Sequence, residues 1–252
     1  MKIQFCSDLH LEFAENRKYL KNNPIIPAGE ILLLGGDIML FSQMDHHRDF
    51  INFLSDHFQM TYWIPGNHEY YHGSIDERTG SFKEQLSKNV VLLNNKVIDA
   101  GEVEIVCSTL WSQISPLNAW NIQMNMSDFH LIKKSRKTIS IGQYNILHTE
   151  SLNFITTSLQ NKIKVPRIVL THHVPTFMNY PEQYRNDPLN EGFATELFKL
   201  IETSQIDYWI FGHHHRNISP FKIGSCSLET NQLGYVAHGE NESFKHNKVL
   251  VV

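Results

Sequence analysis

The sequence has few cysteines and no long apolar run. Its 252 residues include three cysteines, Cys6, Cys107 and Cys226, which are scattered and never form a CxxC pair. This pattern argues against a disulfide framework or a thiolate zinc site and favours a reducing compartment. The most apolar stretch, "ILLLGGDIMLF", is broken by two glycines and an aspartate and cannot span a bilayer. The N-terminal apolar stretch is too short for a signal peptide, so we expect a soluble, cytoplasmic protein without a membrane partner.

The chain also lacks an excess of positive charge. The net charge is −4 and the pI is near 6.4, which gives no electrostatic reason to expect a nucleic-acid polymer as partner. The one basic run, "KKSRK" at 133–137, is interpreted as a solvated loop. No repeat and no Gly/Ser-rich or Pro-rich linker divides the chain. We therefore expect a single domain over residues 1–252, and its 41% hydrophobic content is enough for a buried core.

Short apolar runs alternate with stretches of helical periodicity, which predicts an α/β fold. Several runs are continuously apolar, as expected of strands that are buried on both faces. Helical spacing of apolar residues occurs at 46–58, 149–163 and 190–204. From Ile218 onward, turn residues are more frequent and antiparallel strands are expected. The predicted strands are "KIQFC", "EILLLG", "TYWIP", "NVVLLN", "VEIVCS", "RIVLTHH", "DYWIFGH" and "KVLVV".

Polar residues follow five of these strands at the point where each strand ends. The segments in question are "SDLH", "GDI", "GNHE", "THH" and "GHHH". In open α/β sheets the ligand crevice lies outside the carboxyl ends of the strands, so these segments are expected to converge. Gly36, Gly66 and Gly212 precede them, where a close backbone approach needs a residue without Cβ.

The side chains delivered to this place are suited to holding metal ions. Asp8 and His10, and likewise His213 and His215, are two residues apart, so in an extended segment each pair points to one side and His214 faces elsewhere. Asp37 could bridge two ions, and Asn67 and His172 add an amide oxygen and an imidazole. This donor set favours Mn²⁺, Fe or Zn²⁺ over Ca²⁺, and the absence of thiolate argues against a structural zinc site.

The ordered set D-x-H, G-D, G-N-H-E, H-H and G-H-x-H, from Asp8 to His215, resembles the signature of the calcineurin-like metallophosphoesterase superfamily. The resemblance implies a four-layer αββα sandwich of two mixed β-sheets flanked by helices, with two divalent metal ions, Mn²⁺ being favoured and Fe, Zn²⁺ or a mixed centre being alternatives. One ion would be held by Asp8, His10, Asp37 and His215. The other would be held by Asp37, Asn67, His172 and His213.

The resemblance also implies a reaction. A hydroxide bridging the two ions attacks phosphorus, and the ions stabilise the charge that develops on the phosphoryl oxygens. Asp37 holds the two ions together, and His68 is the general acid or a donor to the phosphate. The expected function is hydrolysis of a small phosphodiester or phosphomonoester, with nucleotides among the candidates. The alternative is a non-catalytic metal-binding scaffold or interaction protein on the same fold.

At several positions the sequence differs from the motifs of particular branches of the superfamily, and these differences narrow the choice of branch. Leu40 stands where protein Ser/Thr phosphatases carry an aspartate and purple acid phosphatases carry a tyrosine, and Pro65 stands where the former carry an arginine. His68 argues against the lipid A pathway pyrophosphatases, and neither length nor charge fits the double-strand-break nucleases. The chain is most similar to small single-domain, bacterial-type metallophosphoesterases.

The substrate contacts are less specific in the sequence. His173 and His214 either line the pocket or pack against it, and Glu69 is expected to orient a loop. The irregular segment 174–190 follows a ligand block and is expected to overhang the site. The candidate substrate-binding residues are His173, His214, Tyr70, Tyr71 and Arg185.

Overall fold

A computed structural model describes all 252 residues. The chain forms two six-stranded sheets, one short hairpin and six α-helices. The strands are β1 (Lys2–Cys6), β2 (Ile31–Leu34), β3 (Met60–Trp63), β4 (Phe82–Ser87), β5 (Val90–Asn94), β6 (Lys96–Asp99), β7 (Glu104–Ser108), β8 (Lys133–Lys134), β9 (Lys137–Thr138), β10 (Arg167–Thr171), β11 (Tyr208–Ile210), β12 (Phe221–Ile223), β13 (Cys226–Glu229) and β14 (Val249–Val251). The helices are α1 (Ala14–Asn22), α2 (Arg48–His57), α3 (Ala119–Asn125), α4 (Asp128–Leu131), α5 (Ile141–Leu159) and α6 (Phe198–Thr203).

The two large sheets have the same plan. The first has the order β14-β1-β2-β3-β5-β4, and the second has the order β12-β13-β11-β10-β7-β6. In each sheet four central strands are parallel, and an antiparallel strand closes each edge. Both sheets are therefore mixed, as the resemblance implied, and the carboxyl ends of the parallel strands can meet at one edge of the sandwich.

The continuously apolar strands are explained by burial on both faces. Along β2, Ile31 and Leu33 pack into the core between the sheets, whereas Leu32 and Leu34 pack into the core beneath α1 and α2. On the second sheet Val169 packs into a third core with α5 and α6. Because successive side chains of a strand point to opposite faces, a strand between two cores must be apolar throughout. The αββα layering is thereby confirmed.

Helix boundaries agree with the sequence less well than strand positions do. The predicted helix at 46–58 is a 3₁₀ turn (Phe41–His47) followed by α2, and the helix predicted at 149–163 begins earlier, at Ile141. The prediction at 190–204 is wrong in its first part, because Asn190–Gly192 is a 3₁₀ turn and only α6 is α-helical. Residues 193–197 instead pair with the strand-like segment after β10, through bonds such as the Val174 amide to the Phe193 carbonyl at 3.1 Å.

Two further expectations are partly met. The C-terminal part contains the antiparallel pairs β12–β13 and β1–β14, but β13 also pairs in parallel with β11. The basic run at 133–137 is an exposed hairpin of β8 and β9 rather than an irregular loop. No helix of the chain is both long enough and apolar enough to cross a membrane.

Candidate metal centre and cavity

The five polar segments converge where the two sheets meet. Backbone bonds connect them within a sheet, as from the Asp8 amide to the Gly36 carbonyl and from the His10 amide to the Asp37 carbonyl, both at 2.9 Å. A bond between the sheets joins the His213 amide to the Asp8 carboxylate at 3.0 Å. The strand ends of both sheets are therefore fixed against one another, and the Asp8 side chain takes part in the bond between the sheets.

The first group of candidate ligands consists of Asp8, His10, Asp37 and His215. Their donor atoms all lie within 4.8 Å of one another, and all four side chains are buried. The Nε2 atoms of His10 and His215 are 2.9 Å apart, and His215 Nε2 lies 3.4 Å from Asp8 Oδ1. This is the same set of four that the resemblance assigns to one ion.

The second group consists of Asp37, His172 and His213, again with donor atoms within 4.8 Å of one another. His172 Nε2 lies 3.4 Å from Asp37 Oδ2 and 3.1 Å from His213 Nδ1. The amide oxygen of Asn67 is 3.1 Å from the same His172 nitrogen. Asp37 belongs to both groups, so the geometry gives two adjacent sites that share one carboxylate.

The donor chemistry of both groups fits divalent cations. Three imidazoles have their Nδ1 atoms engaged by oxygen acceptors, so each Nε2 can present a lone pair to the centre. The Nε2 atoms of His10 and His215 face each other at 2.9 Å, so their lone pairs would repel unless a cation lies between them or one ring carries a proton there. The acceptors are Glu12 Oε1 for His10 at 2.9 Å, the Gly35 carbonyl for His172 at 2.9 Å, and Glu240 Oε2 for His215 at 2.8 Å.

The backbone at these positions is unusual. Left-handed φ values are uncommon outside glycine and cost about 1–3 kcal/mol each when the structure enforces them. The ligand pairs therefore converge because of left-handed turns, and not because their segments are extended as the i, i+2 spacing suggested. Five of the seven candidate ligands have positive φ: Asp8 at 56°, His10 at 48°, Asp37 at 54°, His213 at 79° and His215 at 52°.

All three glycines ahead of the ligands are required by space. Gly36 has a φ of 90°, and a Cβ built on it would lie 2.5 Å from His172 Nδ1. A Cβ built on Gly212 would lie 2.6 Å from Asp8 Oδ2, and one on Gly66 would overlap Asp37 Oδ1 and the His172 ring. Any side chain at these positions would displace a candidate ligand. The expectation of close backbone approach is therefore confirmed at Gly36, Gly66 and Gly212.

Glu12 is a site residue that the sequence reasoning missed. Its Oε1 lies 2.9 Å from Nδ1 of His10 and 2.9 Å from Nδ1 of His68. Burial raises the pKa of Glu12, but the hydrogen bonds and charges of the two histidines outweigh burial and lower its pKa to about 2. Burial by itself lowers the pKa of His68. The negative charges of Asp37 and Glu12, together with the Glu12 hydrogen bond, outweigh burial and raise the pKa of His68 above its usual value. The segment "DLHLE" held the signal, since Glu12 repeats the two-residue spacing of Asp8 and His10.

Glu69 holds the loops of the site and does not face the ligands. Its two carboxylate oxygens accept four N–H groups, from the backbone of Asp37, Ile38 and Gly66 and from the Trp63 indole, at 2.7 to 3.0 Å. Because these donors occupy the carboxylate, Glu69 fixes the turns after β2 and β3 together. This is the orienting role expected from the sequence.

Asp128 orients Asn67. Its Oδ1 accepts from the Asn67 amide nitrogen at 2.8 Å and from the Tyr71 hydroxyl at 2.6 Å. With its nitrogen engaged, the Asn67 side chain turns its oxygen toward His172. Asp128 lies 61 residues from Asn67 in an unremarkable stretch, so no sequence pattern could have found it.

A cavity of about 760 Å³ opens over the candidate ligands. Asp37, Asn67 and His68 lie on its wall, together with Tyr71 and His214, two of the expected substrate contacts. The segment 174–190 contributes Tyr180 and Tyr184 among others, which is the overhanging position expected from the sequence. The cavity is large enough for a nucleotide-sized compound.

Three other expected substrate contacts are not on the cavity wall. His173 is fully buried behind the centre, with Nε2 3.1 Å from the Tyr144 hydroxyl. Tyr70 is buried, and its hydroxyl donates to the Arg78 carbonyl at 2.5 Å. Arg185 is exposed and pairs with a glutamate one turn away. The structure therefore keeps these three side chains off the cavity wall, although the His173 ring packs on that of His213 with centroids 4.2 Å apart.

A two-sheet sandwich with adjacent buried ligand groups that share a carboxylate defines a class of metal-dependent hydrolase folds. The sequence model described as "Calcineurin-like phosphoesterase" matches residues 1–217, and the chain belongs to this family. Members normally bind divalent metals, and the two ligand groups give this chain candidate sites for them.

Two similar proteins extend the comparison. The chain is 35% identical over 269 residues to the uncharacterized protein L509 of Acanthamoeba polyphaga mimivirus, a match that covers 95% of this chain and 92% of that protein. The fold is similar to that of the phosphopantetheinyl hydrolase of Mycobacterium tuberculosis, with a TM-score of 0.73 and 14% identity, covering 99% of this chain and 95% of that chain. The structural likeness, at this identity, concerns the fold alone.

Proposed function

We propose that the protein is a dinuclear-metal-dependent phosphoesterase that hydrolyses a small phosphodiester or phosphomonoester, with nucleotides among the candidates. The observation that carries this proposal is the pair of ligand groups that share Asp37 at the floor of the cavity. Ions bound there would supply Lewis-acid activation of the phosphoryl group and of water. Mn²⁺ is the metal favoured by the resemblance to the family, with Fe, Zn²⁺ or a mixed centre as alternatives, and the donor set of imidazole, carboxylate and amide groups without thiolate suits each of them.

The residues of the chain have separate roles in this proposal. Asp37 holds the two sites together with a single carboxylate. His68 is not part of either ligand group, and it donates a proton from Nε2 to the leaving oxygen while Nδ1 is held by Glu12. Glu12 thereby takes the place of the carboxylate that Leu40 cannot provide. The Tyr235 hydroxyl, 3.2 Å from His68 Nε2, is the hydrogen-bond partner that the leaving oxygen would replace.

The alternative is a non-catalytic metal-binding scaffold. Such a protein has no need for an oriented imidazole beside its metal ligands or for an open cavity above them. The buried Glu12–His68 pair and the cavity therefore favour the enzyme. A cytoplasmic location, proposed with either function, is supported by three buried free cysteines.

The proposal is tested by hydrolysis assays on the Mn²⁺-loaded protein. Bis-p-nitrophenyl phosphate, p-nitrophenyl phosphate and cyclic nucleotides serve as substrates. We expect hydrolysis of at least one, its loss with a chelator, and its recovery on addition of Mn²⁺. Asp37→Asn, which keeps the shape of the side chain and removes its charge, is the matched inactive control. Absence of metal-dependent hydrolysis of every substrate would favour the scaffold.

A further inference from the structure

The cavity over the candidate ligands has an unusual charge distribution for a phosphoester site. Its 25 wall residues include no lysine and no arginine, although phosphate sites commonly use these side chains. Apart from Asp37, four further acidic residues lie on the wall. They are Glu12, Asp128, Asp187 and Glu240.

None of the arginines near the wall in sequence is itself a wall residue, and two of them are engaged elsewhere. Arg17 donates to the Leu11 and Glu12 carbonyls at 2.7 and 3.0 Å, and Arg185 pairs with Glu182 at 2.9 Å. They are therefore occupied outside the cavity. Arg216 follows His215 and is likewise not a wall residue. On the wall itself, positive charge for a phosphate would come only from metal ions or from the histidines beside them.

A substrate with one phosphate can place that group at the ion sites. A second phosphate would lie farther along the wall, beside Asp187 of the overhanging segment, where no lysine or arginine lines the wall. Like charges in a partly enclosed, low-dielectric cavity repel more strongly than in water. The cavity thus selects against additional phosphates.

The rest of the wall suits flat rings. Phe13 is 40% exposed at the cavity, and it packs edge-on against Tyr235 with ring centroids 5.3 Å apart. Tyr180 and Tyr184 come from the overhanging segment 174–190, and Phe193 packs on His213. Aromatic faces and edges bind planar rings or organic cations without requiring negative charge on the ligand.

We propose that the substrate is a phosphoester with a single phosphorus atom, whose organic groups are uncharged or cationic and include a flat ring. The inference rests on the proposed function and narrows its substrate class. Nucleoside polyphosphates, bisphosphates and nucleic-acid strands are excluded from this class. Nucleoside monophosphate esters and ring-bearing phosphodiesters remain in it.

Two chromogenic esters that differ by one phosphate test the charge requirement. Thymidine 5′-(p-nitrophenyl phosphate) and its 3′-phosphorylated derivative release the same nitrophenolate, so their reacting centres are alike. With the Mn²⁺-loaded protein at fixed excess metal, we expect kcat/KM to be about tenfold or more lower for the derivative, through a higher KM. Equal or higher kcat/KM for the derivative would overturn the inference while leaving the proposed function standing.

A charge-reversal variant tests whether the difference in kcat/KM between the two esters arises at the cavity wall. Asp187→Lys should reduce the discrimination between the two esters about threefold or more, because it places a cation where the extra phosphate lies. Asp56→Lys changes the net charge equally, but Asp56 is exposed on α2, away from the cavity. This control should leave the discrimination unchanged. An equal effect of both variants would contradict the assignment to the cavity wall.

Binding provides a readout that does not depend on turnover. Calorimetric titration of the Mn²⁺-loaded protein should give a lower Kd for thymidine 5′-phosphate than for thymidine 3′,5′-bisphosphate. If neither chromogenic ester is hydrolysed, the proposed function fails, and the binding comparison still tests the inference. Tighter binding of the bisphosphate than of thymidine 5′-phosphate would overturn the inference.

The ring requirement has its own comparison. Methyl p-nitrophenyl phosphate has the same leaving group as the thymidine ester and no second ring. We expect the thymidine ester to have the higher kcat/KM, and Tyr184→Ala to reduce that advantage through KM. Equal kcat/KM for the two esters in the unchanged protein would contradict the proposal that the substrate includes a flat ring bound by the cavity wall.

Discussion

At the scale of single residues, the Glu12–His68 pair separates proton transfer from metal binding. His68 lies next to Asn67 in sequence, yet its imidazole belongs to neither of the two groups that share Asp37. It lies instead in a third cluster with His10 and Glu12, and it faces the cavity. Glu12 holds its Nδ1, so Nε2 is the nitrogen available to a substrate. This arrangement predicts that His68 can be changed without loss of the metal ions.

Replacing His68 by alanine should lower turnover by about 10²–10⁴-fold on esters with alkoxide leaving groups. Nitrophenolate leaves without a proton, so p-nitrophenyl esters should be affected far less. Kinetics on bis-p-nitrophenyl phosphate and on a cyclic nucleotide, with metal content measured alongside, make the comparison. Equal losses on both would indicate that His68 binds the phosphate, and loss of a metal ion would make its role structural.

Glu12 should act through His68. Glu12→Gln keeps the shape of the side chain but removes the charge that holds the imidazole, so it should impair alkoxide esters more than nitrophenyl esters. In the His68→Ala background the same change should have little further effect on kcat, since residues that act as a unit are not additive. Glu240→Gln, which changes the matching contact to His215 and leaves the Glu12–His68 pair in place, should show no dependence on the leaving group. Additive effects of the Glu12 and His68 changes would contradict this account.

The three histidines of "GHHH" are expected to differ in their effect on metal content. His213 and His215 contribute to different ligand groups, whereas His214 belongs to neither and contacts Gln232 through Nδ1. His214→Ala should therefore retain both ions, and alanine at either neighbour should lose at least one. Elemental analysis of the three variants decides the matter. Similar losses in all three would show that the alternation does not govern ligation.

At the scale of elements, the strands could be predicted because each is apolar for a simple reason. β2 and β10 lie between two cores, which makes their runs continuous and easy to recognise. In the edge strand β4, polar residues separate the apolar ones. No continuous apolar run indicates this strand, and it was not predicted. The segment 190–204 has helical spacing, but residues 193–197 satisfy their backbone groups by pairing with the segment after β10. Tertiary pairing of this kind is not visible in local periodicity.

Helix α5 begins at a capping box that the apolar periodicity alone did not reveal. The Ser140 side chain accepts from the Gln143 amide, and the Gln143 side chain accepts from the Ser140 amide. Ser140→Ala should lower the free energy of unfolding by about 0.5–2 kcal/mol, measured by urea denaturation. Thr157→Ala, at an exposed position of the same helix, is the control and should be neutral or slightly stabilising. An unchanged stability of the Ser140 variant would mean that the cap contributes nothing.

At the scale of the whole molecule, the two sheets bring five segments from across the chain to one place. The candidate ligands could be predicted because each follows a strand and because their order matches a known signature. The orienting residue Asp128 could not be assigned, since its partner Asn67 is brought to it only by the packing of distant segments. Glu12 repeats the spacing of Asp8 and His10, but its contact with His68 depends on the packing of a segment 56 residues away. The left-handed backbone at the ligands could not be predicted either, because aspartate and histidine do not indicate a positive φ as glycine does.

The measurement that bears most directly on this account is anomalous diffraction from crystals of the Mn²⁺-loaded protein. Two Mn²⁺ peaks are predicted, each in contact with the Asp37 carboxylate. The first should also contact Asp8, His10 and His215, and the second should also contact Asn67, His172 and His213. A single peak under metal-replete conditions, or an Asp37 side chain in contact with neither ion, would contradict the shared-carboxylate centre on which the proposed function depends.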